Sequence, residues 1–485
     1  MRTHTHPDCT SPTTAAPPTV ASTVPTPCPR GNAALGMRAV AAMVVIAAVA
    51  ATSAAAPAAA LVQQQEPPAG VMAERIAEAV DEFAPDAIEL RHRIHQNPEL
   101  GNREFETAAM VAEHLRALGF DRVETGIAHT GVVGILEGGR PGPVVAVRAD
   151  MDALPVTERT DLPFRSTVTT TYLDQEVGVS HACGHDVHTA VQLGVASVLA
   201  SLRDEIPGTV QFIFQPAEEG PPPGEEGGAP LMVEEGVFDD PRPSAVFGLH
   251  TFASMEVGNV GYTVGPALAA VDHFRIDITG RQAHGAAPHE SVDPVVMASQ
   301  AVTALQTIRS RNLSPLAPSV VTVGIIRGGE RFNIIPETVH LEGTVRTYDP
   351  DVRDAVERRM DEILRGITMA GGGSYTLDYD RGTPATINDT TLTARMAPTL
   401  AAVMGEDGVE TLPPTMGGED FAYFANEVPG FYFRLGSTDP GHGSGGHHTP
   451  TFRADDASVP IGMRVMANLL VDYLVRESRG ATEEE

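Results

Sequence analysis

Three short apolar runs, each followed directly by polar residues, constrain the fold of this chain most. They span residues 144–147, 210–214 and 245–249, and helical segments such as 187–202 lie between them. Runs of this kind are typical of buried strands in a mostly parallel sheet. Ligands of such sheets bind beyond the carboxyl ends of the strands. We therefore expect one site to gather the polar residues that follow the three runs, which are 148–152, 215–219 and His250.

A different order of elements begins near Thr263. Its apolar patterns predict strand 273–279, helix 294–309, strands 319–326 and 338–347, helix 351–369 and strand 374–379. The order βαββαβ is that of a ferredoxin-like unit. The first pattern then resumes with helix 392–404 and strand 431–435. The predicted fold class is therefore α/β, with a mostly parallel-sheet domain in two parts, 61–262 and 383–485, interrupted by a smaller inserted domain at 263–382.

The first 60 residues are predicted to be a leader. Arg38 precedes an uncharged apolar run at 39–51, and small residues follow at 53–60. A charged start, an apolar middle and a small-residue end are the layout of a secretory signal peptide. The apolar run is also short for a membrane span of about 20 residues. We therefore expect export to the periplasm or the extracellular space, with cleavage after Ala60 and no stable membrane span in the mature chain.

The net charge of the chain and its lack of lysine disfavour or exclude several kinds of partner and of catalytic mechanism. A formal net charge of −30 disfavours nucleic acid and anionic membrane surfaces as partners. All 33 basic residues are arginine. A chain without lysine has no Schiff-base lysine, no Ser-Lys hydrolase pair and no Walker-A lysine.

Cys183 is the cysteine that bears on chemistry. The other two, Cys9 and Cys28, lie in the leader, so Cys183 has no disulfide partner in a mature chain. It stands among three histidines and an aspartate within residues 181–188. A thiol beside imidazoles in an exported protein is typical of a metal ligand or a nucleophile rather than of a structural residue.

The residues around Cys183 indicate which of these roles is favoured. Alternate residues of an extended segment face the same way, so Cys183 and His185 can share a metal. Asp186 is expected to cap a helix that begins at Val187. A lone histidine or cysteine here would more often be a buried packing residue, but the cluster favours a metal or catalytic site.

Two adjacent carboxylates, Glu218 and Glu219, follow the second apolar run. Adjacent carboxylates point in different directions, so that one can bind a metal while the other stays free as a base. Taken alone, the pair would be read as a solvated acidic turn, and His250 as a packed histidine. The polar Gly-rich segments 416–421 and 447–450 are equally ambiguous by themselves.

The chain from about residue 90 to 474 resembles the M20 metallopeptidase family, in particular its aminoacylase/amidohydrolase branch. That branch includes hippurate hydrolases, N-acetyl-diaminopimelate deacetylases and plant indole-acetyl-amino-acid hydrolases. The resemblance is specific because many motifs match in order along the chain. The matching segments are 91–100, 148–155, 181–190, 215–220, 248–250, 283–289, 333–336, 343–347, 418–421 and 448–450.

The resemblance implies a two-metal amide hydrolase that cleaves N-acyl amino acids or small peptides with a free carboxylate. Glu218 would be the general base that takes a proton from the metal-bound water, and Asp152 would orient a ligand imidazole. Cys183 would lie between the two ions, which could be Zn, Mn, Co or Ni. The ligands implied by the resemblance are Cys183, His185, Glu219, His250 and His448, the last chosen over His447 because it directly precedes Thr-Pro.

The same resemblance gives the inserted domain a role as a lid and as the contact of a homodimer. His284 would reach an active site and stabilise the oxyanion. Asn333, Arg346 and Gly418 would bind the substrate, with Asn333 and Arg346 holding its free carboxylate. Arginine suits that role through bidentate pairing, although Arg346 could instead form a surface ion pair on a strand.

Two other functions are kept open. In the first, Cys183 is the nucleophile of a cysteine hydrolase and a neighbouring histidine is its base. In the second, the chain is a non-catalytic secreted metal-binding protein, for which Glu218 would have no purpose. Three departures from the family pattern also leave the substrate open: an insertion at 167–174, a Pro/Gly-rich loop at 220–228, and Ser180 where a hydrophobic residue is common.

Overall fold

A computed structural model describes residues 70–483, so the predicted leader lies outside the described residues. The described chain belongs to one compact unit. Its helices are α1 Gly70–Gln96, α2 Phe105–Ala117, α3 His185–Ser201, α4 Gly228–Glu234, α5 Pro294–Thr307, α6 Pro350–Gly371, α7 Thr390–Met404, α8 Phe421–Glu427 and α9 Ser458–Glu483.

The strands precede, separate and follow these helices along the chain. In the first half of the chain they are β1 Arg122–Ile127, β2 Gly131–Glu137, β3 Arg140–Asp150, β4 Thr169–Tyr172, β5 Gln175–Gly178, β6 Pro207–Gln215, β7 Val246–Glu256, β8 Val260–Tyr262 and β9 Gly265–Leu268. In the second half they are β10 Ala270–Thr279, β11 Ala283–His284, β12 Ser319–Arg327, β13 Ile334–Ile335, β14 Thr338–Thr347, β15 Ser374–Arg381, β16 Thr386–Asn388, β17 Val409–Thr411 and β18 Gly430–Thr438.

The large sheet has eight strands in the order β1-β2-β6-β3-β7-β18-β8-β17. Its four central strands, β6, β3, β7 and β18, run parallel, whereas β1 and β2 pair antiparallel with their neighbours. Strand β8 pairs antiparallel with β18 and parallel with β17. Apolar side chains of α3 and α9 pack with those of the central strands into one buried core. The sheet is therefore mixed, and its parallel centre brings the carboxyl ends of β3, β6 and β7 to one edge.

The inserted segment forms a separate four-stranded antiparallel sheet in the order β12-β14-β10-β15. Helices α5 and α6 bury Leu305, Met360 and Leu364 against one face of this sheet. The βαββαβ order and this strand order confirm the ferredoxin-like prediction. The α/β fold class with an inserted ferredoxin-like domain is therefore confirmed, while the exact domain boundaries at 263 and 382 stay a prediction.

The start of α3 differs from the predicted one. The helix begins at His185 rather than Val187, and its N-cap is Gly184, whose φ of 97° is left-handed. A Cβ at this glycine would lie 2.3 Å from Thr251 Oγ1, so the close approach of β7 also requires glycine. The prediction that Asp186 caps the helix is wrong, because Asp186 lies in the first turn and its Oδ2 accepts a hydrogen bond of 3.0 Å from Arg91 Nε.

Among the described residues, one segment, Ser458–Arg479 in α9, is long and apolar enough to cross a membrane by length and composition. Within it, 78% of the most apolar window is buried inside the protein. Its leucines and valines belong to the same core as those of α3. The segment therefore has the packing of a core helix.

Candidate metal centre

The polar residues predicted to share a site come together at the carboxyl edge of the parallel strands. Strand β3 ends at Asp150 and is followed by Asp152, and β6 is followed after two residues by Glu218 and Glu219. Strand β7 carries His250. Parallel neighbours end at the same edge of a sheet, so these side chains are brought together by the register of three strands.

The five implied metal ligands form two overlapping groups. The ligand atoms of Cys183, His185 and His250 lie within 4.8 Å of one another, and so do those of Cys183, Glu219 and His448. Cys183 Sγ lies 3.3 Å from His250 Nε2, and Glu219 Oε1 lies 2.9 Å from His448 Nε2. Cys183 is common to both groups, which is the position of a ligand shared by two ions.

One buried atom of this cluster suits a cation. Among the described residues, His185 Nε2 is buried without a hydrogen-bond partner and lies 4.0 Å from Glu219 Oε1. Buried polar atoms are almost always paired, so unpaired ones call for an explanation such as an ion. A set of imidazole, thiol and carboxylate donors fits zinc and other divalent transition metals.

Asp152 holds two of the ligands in place. Its Oδ1 accepts a hydrogen bond of 3.1 Å from His185 Nδ1, and its Oδ2 accepts one of 3.0 Å from the backbone N–H of Glu219. Although burial opposes protonation, Asp150 and Asp152 raise the pKa of His185 to about 10. A carboxylate behind a histidine fixes the ring so that Nε2 faces the metal.

The other histidine ligands are oriented by the backbone. His250 Nδ1 donates to the carbonyl oxygen of Thr251, so that its Nε2 faces Cys183. The N–H of His448 donates to the carbonyl oxygen of Ala182 at 2.8 Å, and its φ of 60° lies in the left-handed region. The neighbouring His447 turns its Nε2 to the N–H of Ala253 at 3.0 Å.

Burial and carboxylates also set the state of the thiol. Burial, followed by the charges of Glu219 and Glu218, raises the pKa of Cys183 well above its usual value. The thiol therefore stays protonated in the protein alone. A bound cation reverses this balance, because it favours the thiolate.

Glu218 has different surroundings from Glu219. Its Oε2 lies 3.8 Å from His185 Nε2, and its carboxyl lies within 4.8 Å of those of Glu419 and Asp420. Burial, together with the charges of Glu419 and Glu219, raises the pKa of Glu218 well above its usual value. A carboxyl group that takes up a proton so readily is suited to general acid–base catalysis.

A buried arginine that the sequence analysis did not single out balances these carboxylates. Arg148 Nη1 lies 2.7 Å from Asp150 Oδ2, and its Nη2 lies 3.0 Å from Glu419 and 2.9 Å from Asp420. Asp150 in turn accepts a hydrogen bond of 2.6 Å from His188 Nδ1. Arg148, Asp150 and His188 stood in the quoted motifs, but nothing in their local spacing showed these pairings.

The implied substrate-binding residues fall into two places. Gly418 lies beside Arg346, since a Cβ at the glycine would be 3.6 Å from Arg346 Nη1 and only 2.3 Å from Val271 Cγ2. Gly418 directly precedes Glu419, whose carboxyl lies within 4.8 Å of that of Glu218. The guanidinium of Arg346 is half-buried, and its Nε donates to Thr344 Oγ1 at 3.1 Å.

His284 and Asn333 lie elsewhere: His284 is in the two-stranded ribbon of β11 and β13, and Asn333 directly precedes β13. His284 is exposed, and its Nδ1 accepts a hydrogen bond of 2.9 Å from the N–H of Ala286. The backbone N–H of Gly285 donates to Asn333 at 2.8 Å. Among the described residues, neither side chain forms a hydrogen bond with the five ligand residues, so this ribbon is not part of the cluster within one chain.

Comparison with known proteins agrees with the motifs and with the fold. Residues 146–472 match the sequence model of peptidase family M20/M25/M40. The N-acetyl-L-cysteine deacetylase of Bacillus subtilis is 40% identical over 372 residues, which cover 77% of this chain and 84% of that protein. The N-acyl-L-amino acid amidohydrolase of Geobacillus stearothermophilus is 42% identical over 315 residues, covering 65% of this chain and 81% of that protein.

A solved structure resembles the fold over most of its length. It is the crystal structure of the YXEP protein of Bacillus subtilis, described as a dinuclear metal-binding peptidase. The TM-score is 0.69 at 33% identity, and the match covers 81% of this chain and 99% of that one.

Proposed function

Because this chain belongs to peptidase family M20/M25/M40 and is therefore a metal-dependent hydrolase of amide bonds, we propose that it cleaves N-acyl amino acids or small peptides with a free carboxylate. The substrate class is supported by relatives described as an N-acetyl-L-cysteine deacetylase and an N-acyl-L-amino acid amidohydrolase. We propose that each subunit binds two divalent metal ions.

The observation that carries this proposal is the sharing of Cys183 between two ligand groups. One group adds His185 and His250, and the other adds Glu219 and His448. The unpaired atom His185 Nε2 belongs to the first of these groups. A dinuclear site uses both groups, whereas a single ion would leave part of the donor set unused.

The proposed mechanism assigns separate tasks to the residues of the chain. Divalent ions held by the five ligands would polarise the scissile carbonyl and lower the pKa of a water molecule. Glu218 takes the proton from the attacking water and delivers it to the leaving amine. Its carboxylate-rich surroundings favour the protonated form between these two transfers. Asp152 orients His185, and Arg346 binds the free carboxylate of the substrate.

We propose in addition that the inserted domain is a lid and the contact of a homodimer. The ribbon with His284 and Asn333 carries Phe332, which is 97% exposed, next to the partly exposed Ile334. Apolar side chains this exposed favour contact with another surface. His284 would then supply an oxyanion donor to an active site, and Asn333 would contact the substrate carboxylate.

The two alternative functions are less well supported. A nucleophilic cysteine needs a lowered thiol pKa, but the pKa of Cys183 is raised by burial and by Glu219 and Glu218. A metal-binding protein without activity gives no reason for a largely buried, proton-accepting Glu218 beside the ligands. Export also remains a proposal, supported by the signal-like segment at 39–60.

The test is hydrolysis of a panel of N-acyl amino acids and dipeptides by the purified protein, before and after metal removal. A chelator should abolish activity, and added Mn, Zn or Co should restore it. A cysteine hydrolase would instead keep its activity in the presence of the chelator and lose it when the Cys183 thiol is alkylated. Full activity in a preparation shown to be metal-free would refute the proposal.

A further inference from the structure

We propose that a cavity beside the metal centre binds the acyl group of the substrate, and that this group is large and apolar. The inference rests on the proposed function, since it states which N-acyl amino acids the enzyme prefers. It concerns the segment 167–174, which departs from the family pattern, and the Pro/Gly-rich loop that faces it.

The cavity has a volume of about 590 Å³ and is continuous with the metal centre, because Glu219 and Asp152 both line it. Away from these two residues, four chain segments contribute apolar side chains, which are Leu100, Leu154, Val168, Leu173, Pro222 and Pro223. Polar side chains of the segment 167–174 also line the cavity, namely Thr169, Thr170, Thr171 and Tyr172. A cavity of this size that combines apolar walls with polar groups is typical of a small-molecule site.

One wall is the β-hairpin formed by β4 and β5, which accounts for the inserted residues. Its turn residues Leu173 and Asp174 have φ values of 50° and 60°, and Leu173 is 63% exposed. Such turns favour glycine or asparagine, and a leucine there has a conformational cost. The exposed leucine side chain gains little burial in the hairpin to offset this conformational cost. A contact between that side chain and a ligand in the cavity that it lines would explain why leucine stands there.

Both walls are fixed by hydrogen bonds. At the base of the hairpin, Ser166 Oγ donates to the carbonyl oxygen of Val179 at 2.7 Å. Across the cavity, Asn102 Nδ2 donates to the carbonyl oxygen of Glu226 at 2.9 Å, which ties the Pro/Gly-rich loop to the segment before α2. The cavity is therefore preformed, which reduces the entropic cost of binding.

The charged residues at its edge are already paired. Arg103 Nη1 donates to Glu225 Oε2 at 3.0 Å, and both carboxylate oxygens of Glu99 accept hydrogen bonds from the first turn of α2. Neither group is left to bind a charged ligand. The cavity consequently suits a neutral acyl group, aromatic or of medium chain length, and an acetyl group would leave most of it filled with water against apolar walls.

The placement of the cavity decides which end of the substrate it receives. It is lined by Glu219 and Asp152, whereas Arg346, which lies beside Gly418, does not line it. The scissile carbonyl must lie at the metal ligands. With the free carboxylate at Arg346, the acyl group extends into the cavity.

The experiment compares N-acetyl, N-benzoyl and N-octanoyl derivatives of L-methionine, L-phenylalanine and L-glutamate, hydrolysed by the metal-loaded enzyme. The wild type should prefer octanoyl or benzoyl over acetyl by at least about tenfold in kcat/KM, since each methylene in an apolar pocket discriminates strongly. Leu173→Asn removes the apolar side chain but suits the left-handed turn, and Thr170→Trp places bulk on the half-buried face of β4. Both should lower the ratio of octanoyl to acetyl kcat/KM.

Asp174→Asn is the matched control, because it changes the neighbouring turn residue, which does not line the cavity, and it should leave that ratio as in the wild type. Thermal melting verifies that each variant is folded. A wild type that prefers acetyl, or a ratio changed by neither Leu173→Asn nor Thr170→Trp, would overturn the inference while leaving the proposed function in place. Hydrolysis of none of the derivatives would overturn both.

Discussion

Replacing Asp152 by asparagine should weaken metal binding without unfolding the protein. The carboxylate is buried and accepts two hydrogen bonds, from His185 Nδ1 at 3.1 Å and from the N–H of Glu219 at 3.0 Å. Asparagine has the same shape but only one acceptor oxygen, and its amide N–H₂ must then face one of these two donors. One metal ligand therefore loses its support, whichever way the amide turns.

The size of the effect follows from the contact that is lost. A hydrogen bond to a charged group contributes about 1.5–3 kcal/mol, which corresponds to about a 10- to 100-fold change in an equilibrium constant. Groups behind metal ligands have effects of the same order, about 10- to 100-fold in affinity or activity. We expect the dissociation constant of the more weakly held ion to rise by this factor, with most activity regained at high free metal.

The assay titrates the metal-free protein in metal buffers and measures bound metal and turnover together. Asp277→Asn is the matched control, because Asp277 Oδ1 lies 2.8 Å from His340 Nδ1 in the same kind of pair but on the sheet of the inserted domain. It should not change metal binding. If Asp152→Asn bound metal within twofold of the wild type, His185 would have to be oriented by another group, such as Asp150 at 3.8 Å.

Three further predictions test the base, the lid and a buried ion pair. Glu218→Gln should keep its metal while turnover falls by about 10²–10⁴-fold, whereas Glu219→Gln should lose metal. Metal analysis and kinetics of both variants separate the two effects. Substantial turnover in Glu218→Gln would contradict the assignment of Glu218 as the base. His284→Ala should lower turnover by about 10²–10³-fold. If His284 acts across a dimer, mixing this variant with Glu218→Gln should restore activity. Subunit exchange that is verified but restores no activity would exclude a role of His284 in the partner's site. Although burial opposes protonation, Asp186 raises the pKa of His95 to about 9 from 6.5, so its contribution to stability is complete below pH 6.5 and is lost as the pH rises through 9. The free energy of unfolding, measured in urea, should fall by up to about 3 kcal/mol over that window, and His95→Gln should remove most of this fall.

Patterns local in sequence predicted the fold well. Strand β14 was expected at 338–347 and is observed as Thr338–Thr347, because Val339, Leu341 and Val345 recur with the period of a strand and are buried. A proline inside a helix usually ends or kinks it, but α1 continues through Pro85 to Gln96. The tertiary contact between Arg91 and Asp186 helps to hold this continuation, and no local pattern reveals it.

The residues of the site likewise include some that the sequence could place and some that it could not. Residues that follow apolar runs, such as Asp152 and Glu219, could be placed at one edge of a sheet from the sequence. The pairing of Arg148 with Glu419 could not, since the two residues lie 271 positions apart and meet only because β3 and the segment before α8 approach each other. The sequence also could not show which histidine each aspartate contacts: Asp150 pairs with His188, and Asp152 pairs with His185.

The adjacent carboxylates Glu218 and Glu219 show how neighbours in sequence acquire opposite properties. Burial and Glu419 raise the pKa of Glu218, while His448 and His185 lower that of Glu219 against the effect of burial. The two side chains leave the backbone in different directions, one toward carboxylates and the other toward imidazoles. Glu219 is consequently ionised and available to a cation, and Glu218 is available to a proton. Because this difference arises from the partners rather than from the glutamates, exchanging the two roles would require rebuilding both surroundings, not the Glu-Glu pair itself.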